Sequence, residues 1–186
     1  MTVAAVVLAA GASTRFHGGP HKLSALFRGK PLVCWAIDAA TEAGLDEVFV
    51  VVGSTTLRDV LPDHVTVVRN GLWPNGLGTS LYAAIGAAAE ARHEAIVVGL
   101  GDQPLIPASA WRAVADATGK PIVAATYNGK RRNPVRLQRS VWHMVPRAGD
   151  DGARALYREL PDLVGEVACE GEPADIDTVE DLARWS

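Results

Sequence analysis

The sequence predicts an α/β fold, a Rossmann-like three-layer α/β/α sandwich around a mostly parallel sheet. Two observations carry this. Short apolar runs recur without the alternation of a half-solvated strand, which suits strands buried on both faces. Segments of helical periodicity lie between them, and strands alternating with helices build βαβ units. The chain has 186 residues and no internal repeat, low-complexity tract or long linker, so it reads as one domain over 1–186.

The expected first strand is Val3 to Ala10, "VAAVVLAA". Further strands are expected at Glu47 to Val52, Val65 to Val68, Ala95 to Leu100 and Pro121 to Ala125, each bounded by Gly, Asn, Asp or Pro. The first helix is expected from Pro31 to Ala43, with Pro31 in its first turn and Gly44 just past its end. An alanine-rich helix is expected from Thr79 to Arg92. It would present Leu81, Ile85 and Ala88 on one face, with Thr79 or Ser80 as N-cap. Shorter helices are expected at Ala108 to Thr118 and Asp151 to Glu159. Thr178 would cap the last, which runs to Trp185.

Composition excludes some classes of function. The net charge of −3 leaves no global basic field for nucleic acid, so no such partner is expected. Cys34 and Cys169 form no C-x-x-C and no metal framework, which points to a reduced, cytoplasmic protein. The run Val3 to Ala10 is too short for a membrane span, and it lacks the flanks of a signal peptide.

In parallel sheets, ligands bind beyond the C-terminal ends of strands. Three loops qualify: after Ala10, after Leu100, and around Arg131 to Pro134. The opening stretch "LAAGASTRFHGGPHK" places Gly11 directly after a strand and adds Arg15 and Lys22. Small residues there let backbone N–H groups approach a phosphate. It is no Walker A, because His21 precedes Lys22 and Leu23 follows it. Nor is it the dinucleotide fingerprint, since Ser13 stands where the second glycine belongs. On composition alone, a surface loop with two solvated cations fits equally well.

The other candidates also have two readings. Asp102 makes an Asx-turn before Pro104, or it holds Mg²⁺, which takes one or two carboxylates beside water and phosphate. Asp177, at the end of a short expected strand, is a second carboxylate, with Asp175 two residues earlier on the same face. On the residues alone, capping or solvation is the better account of Asp177. Gly76 to Ser80 is a helix start, or a set of N–H groups with Ser80 reading a base or sugar. Lys130, Arg131, Arg132, Arg136 and Arg139 form a solvated face, or a cationic surface for a phosphorylated substrate. Asp150 and Asp151 precede a helix as caps. His17 and His21 flank two glycines with no cysteine nearby, which argues against zinc.

Several segments, in order, resemble a known family. "LAAGxSxR…K" is similar to the opening of the molybdenum cofactor nucleotidyltransferases. It is closer to their molybdopterin cytidylyltransferase branch, since the guanylyl branch tends to read LAGG. "NGLWPNGLGTSL" at Asn70 to Leu81, "GDQP" at Gly101 to Pro104 and "NPV" at Asn133 to Val135 continue the likeness. "GDDGAR" at Gly149 to Arg154 and "DIDTVEDL" at Asp175 to Leu182 complete it.

The resemblance implies a Mg²⁺-dependent nucleotidyltransferase of that fold type. CTP would be the nucleotide and a molybdopterin phosphate the acceptor, with a molybdoenzyme as a possible delivery target. Lys22, Arg15 and Asp102 would be catalytic, with Asp102 and Asp177 rather than Asp175 holding the metal. Leu8, Ala9, Ala10, Gly11, Ser13, Arg15, Lys22, Gly78, Ser80 and Gly101 would bind nucleotide. Arg131, Arg132 and Asn133 would meet the acceptor. A related transferase with another nucleotide or acceptor, and a non-catalytic carrier of nucleotide or cofactor, are the alternatives.

Two departures stand out. The family usually spaces Lys five residues after Arg, whereas Lys22 follows Arg15 by seven. Gly18 and Gly19 are expected to fold the excess into a tight turn, with Pro20 fixing its exit and His17 or His21 bulging outward. Arg132-Asn133 also stands in place of Gly-His.

Overall fold

The computed structural model describes residues 1–17, 21–55 and 57–186. Nine strands and five α-helices are assigned among them. β1 (Val3–Ala9), β4 (Glu47–Val52) and β6 (Ala95–Leu100) fall where the apolar runs predict. β2 (Leu26–Phe27) and β3 (Lys30–Pro31) form a small hairpin. β5 (Thr66–Arg69), β7 (Ile122–Tyr127), β8 (Lys130–Gln138) and β9 (Val164–Ala168) complete the main sheet. The helices are α1 (Leu32–Glu42), α2 (Leu77–Glu90), α3 (Ala108–Asp116), α4 (Arg154–Glu159) and α5 (Val179–Trp185).

The seven-stranded sheet runs β5-β4-β1-β6-β8-β7-β9. β8 alone is antiparallel to its neighbours. Every residue of β1 is buried, as its central place requires. Ala5, Val7 and Ala9 pack on the face covered by α1 and α3. Ala4, Val6 and Leu8 pack on the other face, under α2 and Leu156 of α4. The fold is therefore the expected α/β/α sandwich.

Four expectations change. The Val65 to Val68 run forms the edge strand β5, whose residues are exposed or half-buried rather than covered on both faces. An edge needs no apolar neighbour on its open side. The segment Arg131 to Pro134 is not a loop but half of β8. Proline normally argues against an internal strand. Here the β7–β8 register shifts at Ala124/Ala125, and Asn133 and Pro134 sit in the break. Asp177 lies in an extended connection and not at the end of a strand. Lastly, α2 starts at Leu77 with Gly76 as N-cap, so Thr79 and Ser80 stand inside the helix. Their hydroxyls serve tertiary contacts: Asn70 Nδ2 donates to Thr79 Oγ1 at 2.8 Å and to Ser80 Oγ at 2.9 Å.

Among the described residues, no helix is long and apolar enough to cross a membrane.

Candidate active site

The site lies where β1 and β6 end. After β1, residues Gly11 to Ser13 form the floor of a cavity of about 320 Å³. That volume is within the range of roughly 300–1,000 Å³ usual for small-molecule sites. A Cβ on Gly11 would meet no atom of the described residues within 4 Å, so the backbone is open to a ligand on that side. The opposite wall is Trp73, Pro74 and the Gly76–Leu77 start of α2. Gly76 has φ +102, and a Cβ there would meet the Gly149 carbonyl at 2.6 Å. Only glycine can let residues 149 and 150 dock so closely, and this brings Asp150 to the cavity.

Lys22 is the central charge. It belongs to a 3₁₀ turn, Lys22–Ser24, and is only 8% exposed. Its Nζ donates to Asp102 Oδ2 at 2.7 Å and to Asp177 Oδ1 at 2.9 Å. Burial alone would lower the pKa of its ammonium. Asp102 and then Asp177 outweigh that, so the net shift is upward and the cation is secure. Arg15 pairs with the other oxygen of Asp177 at 3.0 Å.

The carboxylates are gathered by one buried side chain. Ile176 is fully buried, and its N–H donates to the Asp102 carbonyl at 2.9 Å. This bolts the 175–177 segment to the loop after β6. Asp175 and Asp177, on alternate positions, then face the same region with different partners. Asp177 meets Lys22, whereas Asp175 Oδ1 accepts from Gln103 Nε2 at 2.8 Å. Burial, then the nearby Asp102, raises the Asp175 pKa. The second oxygen of Asp102, Oδ1, is buried and has no partner among the described residues.

A second pocket, of about 420 Å³, opens beyond Gln103 and Asp175. Arg131, Arg132 and Asn133 of β8 line it, facing Arg154, Tyr157 and Arg158 of α4. Asn133 Nδ2 donates to Gln103 Oε1 at 3.1 Å, so an Asn133–Gln103–Asp175 chain separates the two pockets. Arg131 pairs with Glu166, and Arg158 with Asp151.

Most of the expected nucleotide residues converge. Leu8, Ala9, Ala10, Gly11, Ser13, Lys22 and Ser80 line the first cavity. Arg15, Gly78 and Gly101 do not: Arg15 is largely exposed and pairs with Asp177. Gly78 is pressed against the Ala148 carbonyl, and the Gly101 N–H donates to the Leu8 carbonyl at 2.9 Å. The expected basic cluster disperses. Arg136, on the face of β8 opposite Val135 and Leu137, lies beneath α3, where it is 1% exposed and donates to the carbonyls of Ala115, Ala117 and Lys120. Arg139 stacks over Trp142 at 5.7 Å. The tight turn expected at Gly18, Gly19 and Pro20 lies outside the described residues.

His21 does not bulge outward. It turns in towards Gly11, Ser13 and Ser54. Sequence reasoning missed Gln103, the arginines of α4 and this histidine. Gln103 and Arg154 stand within the GDQP and GDDGAR segments, but the groups they face come from other parts of the chain, so a local reading gives them no role.

Comparison with known proteins agrees with this geometry. Residues 5–164 match the family described as a MobA-like NTP transferase domain. A nicotine blue oxidoreductase from Paenarthrobacter nicotinovorans is 32% identical over 198 aligned residues, covering 98% of this chain and 95% of that protein. Among solved structures, Rv0371c from Mycobacterium tuberculosis H37Rv superposes with a TM-score of 0.84 at 30% identity, over 99% of this chain and 96% of that one. The same protein in complex with manganese gives a TM-score of 0.81 at 28% identity, over 100% and 98%.

Proposed function

The chain belongs to the MobA-like NTP transferase family, and from that premise we propose that it transfers CMP from CTP to the terminal phosphate of a molybdopterin cofactor. An oxygen of the acceptor phosphate attacks the α-phosphorus in line. The bond from that phosphorus to the bridging oxygen breaks, and pyrophosphate leaves. Such chemistry calls for positioning and charge stabilisation more than covalent help. The observation that carries the reading is Lys22, buried between two carboxylates beside an open glycine loop at the head of β1.

In this reading Lys22 stabilises charge on the α-phosphate. Arg15 and the Gly11 to Ser13 N–H groups hold the β- and γ-phosphates. Arg131, Arg132 and Asn133 meet the acceptor's charge in the second pocket, and a molybdoenzyme would take the finished cofactor. The donor set also fits a divalent cation. Asp102 has a buried, unpartnered oxygen, and Mg²⁺ takes few protein carboxylates beside phosphate and water. Asp102 and Asp177 would hold Mg²⁺, and its contribution would be to neutralise phosphate charge. Lys22 then exchanges its carboxylate partners for phosphate.

The test is a panel of the four nucleoside triphosphates with Mg²⁺ and a molybdopterin acceptor, following pyrophosphate. Release with CTP above the others supports the reading. Release with another nucleotide moves the specificity, and release with none removes the activity.

A second reading has one observation in its favour, the full-length relative named as an oxidoreductase. Hydride transfer from a nicotinamide cofactor would have to proceed without the G-x-G-x-x-G fingerprint, which the opening loop lacks. NAD(P)H oxidation in the absence of any triphosphate would favour that reading.

A further inference from the structure

We propose that His21 is the positioning residue of the opening loop: as the neutral Nε2–H tautomer it locks Gly11 to Ser13 onto the turn that carries Lys22. In deepening the site's function, this rests on reading the opening loop as a triphosphate cradle.

The ring nitrogens have neighbours of fixed polarity. Nδ1 lies 3.3 Å from the Leu23 amide nitrogen, whose N–H can only donate. Nδ1 must therefore be the acceptor, and the proton sits on Nε2. Nε2 in turn lies 3.0 Å from the Gly11 carbonyl, which can only accept. Two backbone groups thus select one tautomer. The oxygens of Ser13 and Ser54, each 3.1 Å from Nε2, share its one proton with that carbonyl.

One imidazole therefore joins three segments. It caps the Lys22–Ser24 turn at its start. It grips the opening loop at Gly11 and Ser13, and reaches Ser54 after β4. Ser54 Oγ donates to the same Gly11 carbonyl at 2.6 Å, and its N–H donates to Ala10 O at 3.1 Å. Neither His21 nor Ser54 lines the nucleotide cavity, although Gly11 does. The Gly11 carbonyl is thereby held by groups behind the loop. The amides of Gly11, Ala12 and Ser13 have no backbone acceptor among the described residues, which leaves them for an anion.

The loop needs such a hold. Ser13 has φ 56, in the left-handed region that disfavours residues with a Cβ. His21 bonds to that same residue. The lock falls one residue before the lysine it must place.

Protonation would break the lock, because Nδ1–H would face the Leu23 N–H. Burial lowers the His21 pKa, the Gly11 carbonyl partly opposes this, and Lys22 lowers it further. Lys22 is the charged group facing the ring; the opening loop and the Ser54 segment offer it hydroxyls and a carbonyl. The competent form is thus complete above the ordinary histidine pKa of about 6.5 and is lost as pH falls through the lowered value.

The test combines nucleotide binding with hydrogen exchange on the free protein. His21→Ala should weaken CTP–Mg²⁺ binding by roughly tenfold at pH 7.5, the scale of one positioned hydrogen bond. It should speed amide exchange at Phe16, Leu23 and Ser54, whose N–H groups are bonded to Ser13 O, the His21 ring and Ala10 O. His21→Gln, whose amide can donate to Gly11, should restore most of the affinity and flatten its pH dependence between pH 5 and 7. Unchanged exchange and affinity in His21→Ala would overturn the proposal, as would an acid limb retained in His21→Gln. Should the wild type bind no triphosphate while His21→Ala still loosens the loop, the lock stands and the triphosphate cradle falls.

Discussion

The two pockets are built in different ways. The pocket beyond β1, proposed for nucleotide, is made of backbone and buried charge. Its loop leaves a fully buried strand, and Lys22 is sealed between Asp102 and Asp177. The pocket proposed for the acceptor is made of long side chains on a strand and a short helix, and Arg131, Arg132, Arg154 and Arg158 are all exposed. Exposed ion pairs such as Arg131–Glu166 contribute little to stability and exchange partners readily. A rigid donor site beside a re-partnering acceptor site can keep its chemistry while its acceptor changes.

Lys22→Ala tests the rigid side most severely. Turnover should fall by roughly two to four orders of magnitude, the scale of removing a transition-state charge partner. The same variant frees both carboxylates. In the absence of nucleotide it should bind Mn²⁺ more tightly than wild type, measured by paramagnetic resonance. Unchanged turnover in an active preparation would show that the buried ammonium is structural.

Asp102→Asn should lower turnover by roughly a hundredfold or more. Asp177→Asn should follow it and Asp175→Asn should be milder, because Asp175 faces Gln103 rather than Lys22. Steady-state kinetics decide the order. If Asp175→Asn is the damaging change, the second metal ligand lies two residues earlier in the chain.

Arg136 and its neighbours sharpen the contrast within one strand. Arg136→Ala removes a buried guanidinium from three carbonyls and should cost roughly 2–4 kcal/mol in chemical denaturation, with acceptor KM unchanged. Arg131→Ala with Arg132→Ala should do the reverse. Stability should hold, acceptor KM should rise by about tenfold, the effect of losing one or two charge-assisted hydrogen bonds, and nucleotide affinity should stay. A comparable loss of nucleotide affinity would erase the division between the pockets.

The parts legible in the sequence share one property: their signal is local. The runs at β1, β4 and β6 are apolar because central strands have no solvent face. Thr178 marks α5 because its hydroxyl caps Asp181 three residues on. β8 was hidden by Pro134 and its cations, since strand composition says nothing of a register break or of a guanidinium buried under a helix. β9 was hidden by its exposure, with Gly165 and Glu166 in a half-buried edge. Thr79 and Ser80 carry cap chemistry, yet Asn70 draws their hydroxyls sideways into the structure.

By itself, the sequence determined the sandwich, the loop after β1 and the kinds of charge the site would hold. These follow from composition over a few residues and from the rule that ligands gather beyond strand ends. Tertiary structure alone decided which charges meet. Lys22 reaches Asp102 across 80 residues and Asp177 across 155, and a buried Ile176 sets the second of these. It also split one run of cations between an open pocket and the underside of α3, and turned His21 inward. The reason is geometric. Alternation along a strand sends neighbouring side chains to opposite faces, and no local signal records what the rest of the chain has placed on each face.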